Sequence, residues 1–104
     1  MRGFQTYFGS RSLYTVQIKI PSALRSQTGG LAQVQAVGAN VAEVLNGLRP
    51  HYAGLVDRLL TEDGKLRNFV GLYLGTRNIN TMAGLQTQLG EGAVLTLVQA
   101  TVGG

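Results

Sequence analysis

The sequence contains no cysteine and no tryptophan, and it has only one histidine and two prolines among its 104 residues. A chain without cysteine forms no disulfide, thiolate metal site or cysteine nucleophile, and it is compatible with a reducing cytoplasm. No apolar run approaches the roughly 20 residues that a membrane-spanning helix requires. These absences predict a soluble, cytoplasmic protein with one apolar core and no membrane contact.

Acidic residues are missing from the first 42 positions, where four basic residues give a net charge of +4. Over residues 43–104, five basic and five acidic residues balance. Cations bind phosphates and aromatic rings stack on bases, so the basic, aromatic N-terminal end leaves nucleic-acid binding as an alternative. Four scattered charges are more typical of a solvated segment. We therefore predict that residues 1–14 form a loose extension and that nucleic acid is not the partner.

Alternating apolar and polar residues predict strands at residues 14–20 and 31–37, connected from Pro21 through the turn at residues 29–30. Asn40 is typical of a helix N-cap, with Glu43 placed to reach back, and apolar residues then recur at helical spacing. Pro50 interrupts this helix, and a second helical stretch is predicted at residues 51–60. Further strands are predicted at residues 69–74, 77–81 and 93–98.

This order of elements predicts an α+β fold over residues 15–99, the β-grasp, in which a small mixed sheet packs on one main helix. Side chains alternate between the two faces of a strand, so Tyr73, Thr96 and Val98 are expected on the face away from the helix. We predict that these three residues form a partner-docking patch. The alternative is that they are singly exposed apolar residues of the ordinary kind.

Catalytic residues are scarce. His51 is the only histidine, and the acidic residues Asp57, Glu62 and Asp63 cluster near a turn, where solvated charge is the usual reason. No local motif makes a nucleophile of any serine, and no phosphate-binding glycine loop is present. The sequence predicts that the chain is not an enzyme and holds no metal and no bound cofactor.

The sequence finishes on Thr101, Val102, Gly103 and Gly104, directly after an apolar strand. Such an end either frays without a role or has a chemical use. A carboxylate becomes reactive when it is converted to an acyl-adenylate, and residues without a Cβ pass most easily through a narrow channel into another protein. The second interpretation predicts that residues 100–104 form a flexible tail, that Gly104 is the reactive residue, and that Ala100, Thr101, Val102 and Gly103 enter a partner.

A β-grasp order that ends in Gly-Gly resembles the ubiquitin-like sulfur carriers, the MoaD and ThiS family. The resemblance covers about residues 15–104 and is strongest to the branch that serves cysteine biosynthesis, the CysO type. Three blocks carry it: IPSALRSQTGG, HYAGLVDRLLTEDGKLRNFVGLYL and GLQTQLGEGAVLTLVQATVGG.

The resemblance implies a carrier without an active site of its own. An E1-like adenylating enzyme of the MoeB or ThiF type would use ATP to adenylate Gly104, and sulfur transfer would leave a C-terminal thiocarboxylate. A PLP-dependent cysteine synthase would take up that sulfur, and a JAMM-type metalloprotease would release the product. Within the family, the small subunit of molybdopterin synthase and the thiamine-pathway carrier remain alternatives. Outside it, a conjugated protein modifier and a plain β-grasp binding module remain open.

Overall fold

The computed structural model describes residues 7–8 and 11–99, so the predicted tail at residues 100–104 lies outside the described part of the chain. The described strands form a five-stranded mixed sheet and a separate two-stranded ladder. The ladder joins β1 (Tyr7–Phe8) to β2 (Arg11–Ser12) within the predicted N-terminal extension. That the extension is loose stays a prediction. The larger sheet contains β3 (Tyr14–Lys19), β4 (Gln33–Gly38), β5 (Val70–Leu74), β6 (Arg77–Asn78) and β7 (Val94–Gln99).

The strand order in the larger sheet is β4-β3-β7-β5-β6, with β3 and β7 parallel and the other neighbouring pairs antiparallel. Two helices, α1 (Val41–Gly47) and α2 (Arg49–Leu59), follow β4 along the chain. A parallel pair requires a long crossover connection, and the chain between β3 and β7 supplies it. The last strand therefore lies in the middle of the sheet, and the predicted α+β plan is confirmed.

One face of the sheet packs on the two helices and forms the core. Apolar residues of β3, β5 and β7 alternate into this core, as their period of two requires. Val16, Ile18, Leu72, Leu95 and Leu97 are fully or almost fully buried there. The residues between them point to the opposite, open face. The helices contribute Val41, Val44, Leu45, Leu55, Val56 and Leu59.

The first helix begins as the sequence predicts. The Asn40 side-chain oxygen accepts a hydrogen bond from the Glu43 amide at 2.9 Å, which satisfies one of the free amides of the first turn. The Glu43 carboxylate reaches back, but it accepts from the amide of Ala39 (3.0 Å), one residue before the cap. Gly38 fits close against this turn, because a Cβ there would lie 2.8 Å from the Val44 nitrogen.

The second helical stretch, predicted at residues 51–60, is present, but its start and its length relative to α1 differ from the prediction. The second helix starts at Arg49 and is the longer of the two, with eleven residues against seven. Pro50 is tolerated because it lies in the first turn, where its missing N–H has no helical partner. Tyr52 has a non-helical backbone (φ −136°, ψ 52°) and kinks α2. The helical layer is therefore two short segments joined at Leu48.

The connections also contain short helices that the alternating pattern does not predict. The segment after Pro21 forms a 3-10 helix, Ser22–Thr28, and the Arg25 side chain ties it to the Ile20 carbonyl (3.1 Å). The edge strand predicted at residues 77–81 stops at Asn78. There the side-chain oxygen accepts from the Asn80 amide (2.8 Å), and a 3-10 turn follows.

Candidate functional site

The predicted tail starts directly after β7. This strand pairs with β3 only as far as Lys19, which lies opposite Thr96, whereas its pairing with β5 continues to Gln99, opposite Val70. The last part of β7 is therefore bound to a neighbour on one side only. We call this end of the sheet, where β5 begins and β7 ends, the tail root. The predicted reactive and inserted residues, Gly104, Gly103, Val102, Thr101 and Ala100, lie outside the described residues.

The three residues of the predicted docking patch share the open face of the sheet. Tyr73 lies opposite Thr96 and Val98 lies opposite Gly71 in the antiparallel β5–β7 ladder. A Cβ added to Gly71 would lie 3.6 Å from Cε1 of Tyr73 and 3.8 Å from Cβ of Val98. The tyrosine ring and the valine side chain therefore converge over the glycine. Their role in docking stays a prediction.

Exposure distinguishes the members of this patch. The side chain of Val98 is 43% exposed, whereas Tyr73 and Thr96 are half-buried against each other and their neighbours. Phe69, just before β5, is 39% exposed and adds a large apolar side chain at the tail root. The sequence pattern places Phe69 on the outer face but gives no reason to include it in a site. Its exposure in the structure supplies that reason.

A polar pocket of about 280 Å³ lies at the tail root. It is lined by Asp57, Arg58, Arg67, Phe69 and Gln99, which come from the end of α2, the segment before β5 and the end of β7. The Arg67 Nε donates to the Asp57 carbonyl at 3.0 Å, and the Arg67 amide donates to the Leu59 carbonyl at 2.9 Å. These bonds hold Arg67 at the pocket wall.

The charge in this region is mostly positive. The Asp57 carboxylate accepts a hydrogen bond from Nη1 of Arg49 at 3.0 Å in an exposed ion pair. Asp57 therefore has a charged partner of opposite sign within the same helix. Glu62 and Lys65 each line a further pocket that shares Arg67. The sequence alone shows the acidic residues near a turn but not the arginines that converge on them.

The described residues bring together no metal-binding constellation. No group of three histidine, aspartate or glutamate side chains there could hold a metal ion. His51 is exposed on α2, with its ring centroid 6.2 Å from that of Tyr52. Within residues 7–8 and 11–99, no helix has the length and apolar character needed to cross a membrane. The features that remain for function are the patch, the pocket and the strand that leads to the tail.

Comparison with known proteins places this arrangement among sulfur carriers. No protein-family model matches the chain. The sulfur carrier protein CysO of Mycobacterium tuberculosis is 34% identical over 91 residues, which cover 86% of this chain and 98% of the relative. CysO of Mycobacterium bovis matches to the same extent. The alignment therefore spans almost the whole of these relatives.

Solved structures agree with the sequence comparison. The crystal structure of M. tuberculosis CysO superposes with a TM-score of 0.76 at 33% identity, covering 83% of this chain and 99% of that one. A chain of the Amycolatopsis orientalis BexX/CysO complex gives 0.79 at 35% identity, covering 86% and 99%. Small archaeal modifier protein 1 of Methanosarcina acetivorans, at 21% identity and a TM-score of 0.78 over 88% and 98%, shares the β-grasp fold. The chain belongs to the CysO family of ubiquitin-like sulfur carrier proteins.

Proposed function

We propose that this protein carries sulfur for cysteine biosynthesis as a thiocarboxylate on Gly104. The observation that carries the proposal is the family likeness over almost the full length of the CysO relatives. The central strand β7 supports it, because it leads directly into a tail that ends in two glycines. The protein acts as a co-substrate of other enzymes and has no active site of its own.

Activation makes the terminal carboxylate an electrophile. A carboxylate oxygen of Gly104 attacks the α-phosphorus of ATP in the active site of an E1-like enzyme of the MoeB or ThiF type, and pyrophosphate leaves. A sulfide-equivalent nucleophile then attacks the acyl carbon of the adenylate, and AMP leaves with its electron pair. The product is a thiocarboxylate. ATP belongs to the enzyme's site, and because the reaction consumes it, we place the protein in the cytoplasm.

The tail delivers this group into partner proteins. Fully extended, residues 100–104 reach about 17 Å from the end of β7, far enough to enter a buried active site while the sheet stays outside. The two last residues are glycines, whose missing Cβ leaves the acyl carbon least hindered. The β-grasp domain then serves as the handle, and its patch of Tyr73, Thr96 and Val98 as the surface that the activating enzyme recognises.

The sulfur acceptor in this proposal is a PLP-dependent cysteine synthase. The thiocarboxylate sulfur bonds to the β-carbon of an activated serine, whose β-carbon–oxygen bond breaks so that the activated oxygen group leaves. The acyl group then shifts from sulfur to the amino nitrogen, which leaves cysteine joined to Gly104 by a peptide bond. A JAMM-type metalloprotease hydrolyses that bond, releases cysteine and restores the carboxylate.

The assignment to cysteine biosynthesis is tested by presenting the thiocarboxylate form to a cysteine synthase and, separately, to a molybdopterin synthase large subunit. With an activated serine present, we expect intact mass spectrometry of the first reaction to show a product heavier than the carboxylate form by one cysteine residue, because only the sulfur form supplies the nucleophile. The carboxylate form is the matched control and should stay unchanged. Restoration of molybdopterin synthesis without any cysteine adduct would contradict the assignment and leave the carrier chemistry intact.

A further inference from the structure

The pocket at the tail root lies where a protein that receives the tail must sit. Gln99 is the last residue of β7 and also lines the pocket, together with Arg58, Arg67 and Phe69. A partner that holds residues 100–104 in its channel therefore comes close to this pocket. The inference below rests on the proposed function, because it identifies how the activating enzyme grips the domain beside the tail.

The arginines of the pocket exceed its acidic groups. Asp57 is the single carboxylate that lines it, and Arg49 already binds that carboxylate from outside the pocket. Arg67 is fixed by its hydrogen bond to the Asp57 carbonyl. Arg58 is exposed, and among the described residues its guanidinium has no hydrogen bond or ion pair. The pocket thus presents one unpaired and one positioned guanidinium to an incoming group.

We infer that this pocket binds an acidic side chain, aspartate or glutamate, of the E1-like enzyme that adenylates the tail. Arginine binds carboxylates through paired N–H groups in a planar fork, and arginine is enriched among the residues that dominate interface energies. The exposed ring of Phe69 forms an apolar wall beside the two arginines, which excludes water from the contact. The contact at the pocket would hold the enzyme beside the start of the tail. The patch of Tyr73, Thr96 and Val98 would give the enzyme a second contact with the domain.

Arg58 is the residue to test, because its side chain is exposed and makes no hydrogen bond or ion pair among the described residues. We expect Arg58→Glu to raise the KM for this protein in ATP–pyrophosphate exchange about 10-fold or more, with kcat unchanged, since it reverses the charge without altering the tail. Arg58→Gln should give a smaller rise. The KM of the wild-type protein should increase with salt, and that increase should be weaker in Arg58→Glu.

Arg77→Glu is the matched control. Arg77 is also an exposed arginine, but it lies opposite Leu74, at the other end of β5 from the tail root. Its KM should stay within about twofold of the wild type. An unchanged KM in Arg58→Glu, or an equal rise in Arg77→Glu, would overturn the pocket assignment while exchange by the wild type upholds the proposed function. If the wild type supports no exchange, the proposed function fails, and this inference fails with it.

Discussion

Removal of Gly103 and Gly104 is expected to reduce ATP–pyrophosphate exchange by a cognate E1-like enzyme to background. Exchange requires that the terminal carboxylate attack ATP and that the adenylate react back with pyrophosphate. The truncated chain ends on Val102, which brings a β-branched side chain to the point where the channel must close around the acyl group. Adding one residue after Gly104 should also reduce exchange to background, because it moves the terminal carboxylate beyond the reacting position.

The stability of the domain is the internal control for this experiment. The tail follows the last strand, so its deletion should leave the unfolding midpoint of the domain unchanged. A deletion of Met1 and Arg2, equal in length and at the other end of the chain, should leave exchange intact. Undiminished exchange in the protein without Gly103 and Gly104 would show that Gly104 is not the reactive residue.

Aspartate at Val98 is expected to raise the KM for the protein in adenylation roughly 10-fold to 100-fold. Docking buries an apolar patch, and a carboxylate placed there loses its water without gaining a partner. Val98 is 43% exposed in the free protein, so the substitution leaves the core untouched. Tyr73→Asp should act in the same direction, with some added loss of stability because Tyr73 packs over Gly71.

Val37 offers a matched control for the patch. It is a valine on the same open face, 51% exposed, but it lies on β4, which forms the opposite edge of the sheet. Val37→Asp should leave adenylation near the wild-type level, since this edge is remote from the tail root. Thermal unfolding of all variants separates lost docking from lost structure. Equal adenylation of Val98→Asp and Val37→Asp would show that the patch does not bind the activating enzyme.

Local sequence patterns predict much of the fold. The alternation in β3, β5 and β7 predicts which residues enter the core, because one face of each strand must be apolar when only that face is buried. The Asn40 cap is predicted by its side-chain chemistry, which needs only the next three residues. The start of α2 at Arg49, its greater length and the 3-10 segment after Pro21 do not follow from local patterns. Tertiary packing decides them, and it overrides weak local preferences.

The sequence likewise predicts one part of the candidate site and not the other. Tyr73, Thr96 and Val98 follow from strand period once the strands are paired, and the structure places them together. The pocket could not be predicted, because Arg58, Arg67 and Gln99 come from three different segments, and Gln99 is distant in sequence from the two arginines. No spacing rule joins these segments, and only the docking of α2 beside the ends of β5 and β7 brings them into contact. Phe69 becomes part of the candidate site for the same reason, because it lines this pocket.

Sulfur carriage on the C-terminal carboxyl is tested by the chemical state of Gly104 in the cell. The measurement is the intact mass of the protein isolated from its own cells, with tandem fragmentation of the C-terminal peptide. We predict one population that is heavier by the exchange of one oxygen for sulfur, located at Gly104, and a second population with one cysteine residue attached there. A terminal glycine found only as the free carboxylate, in cells that are actively making cysteine, would contradict this prediction.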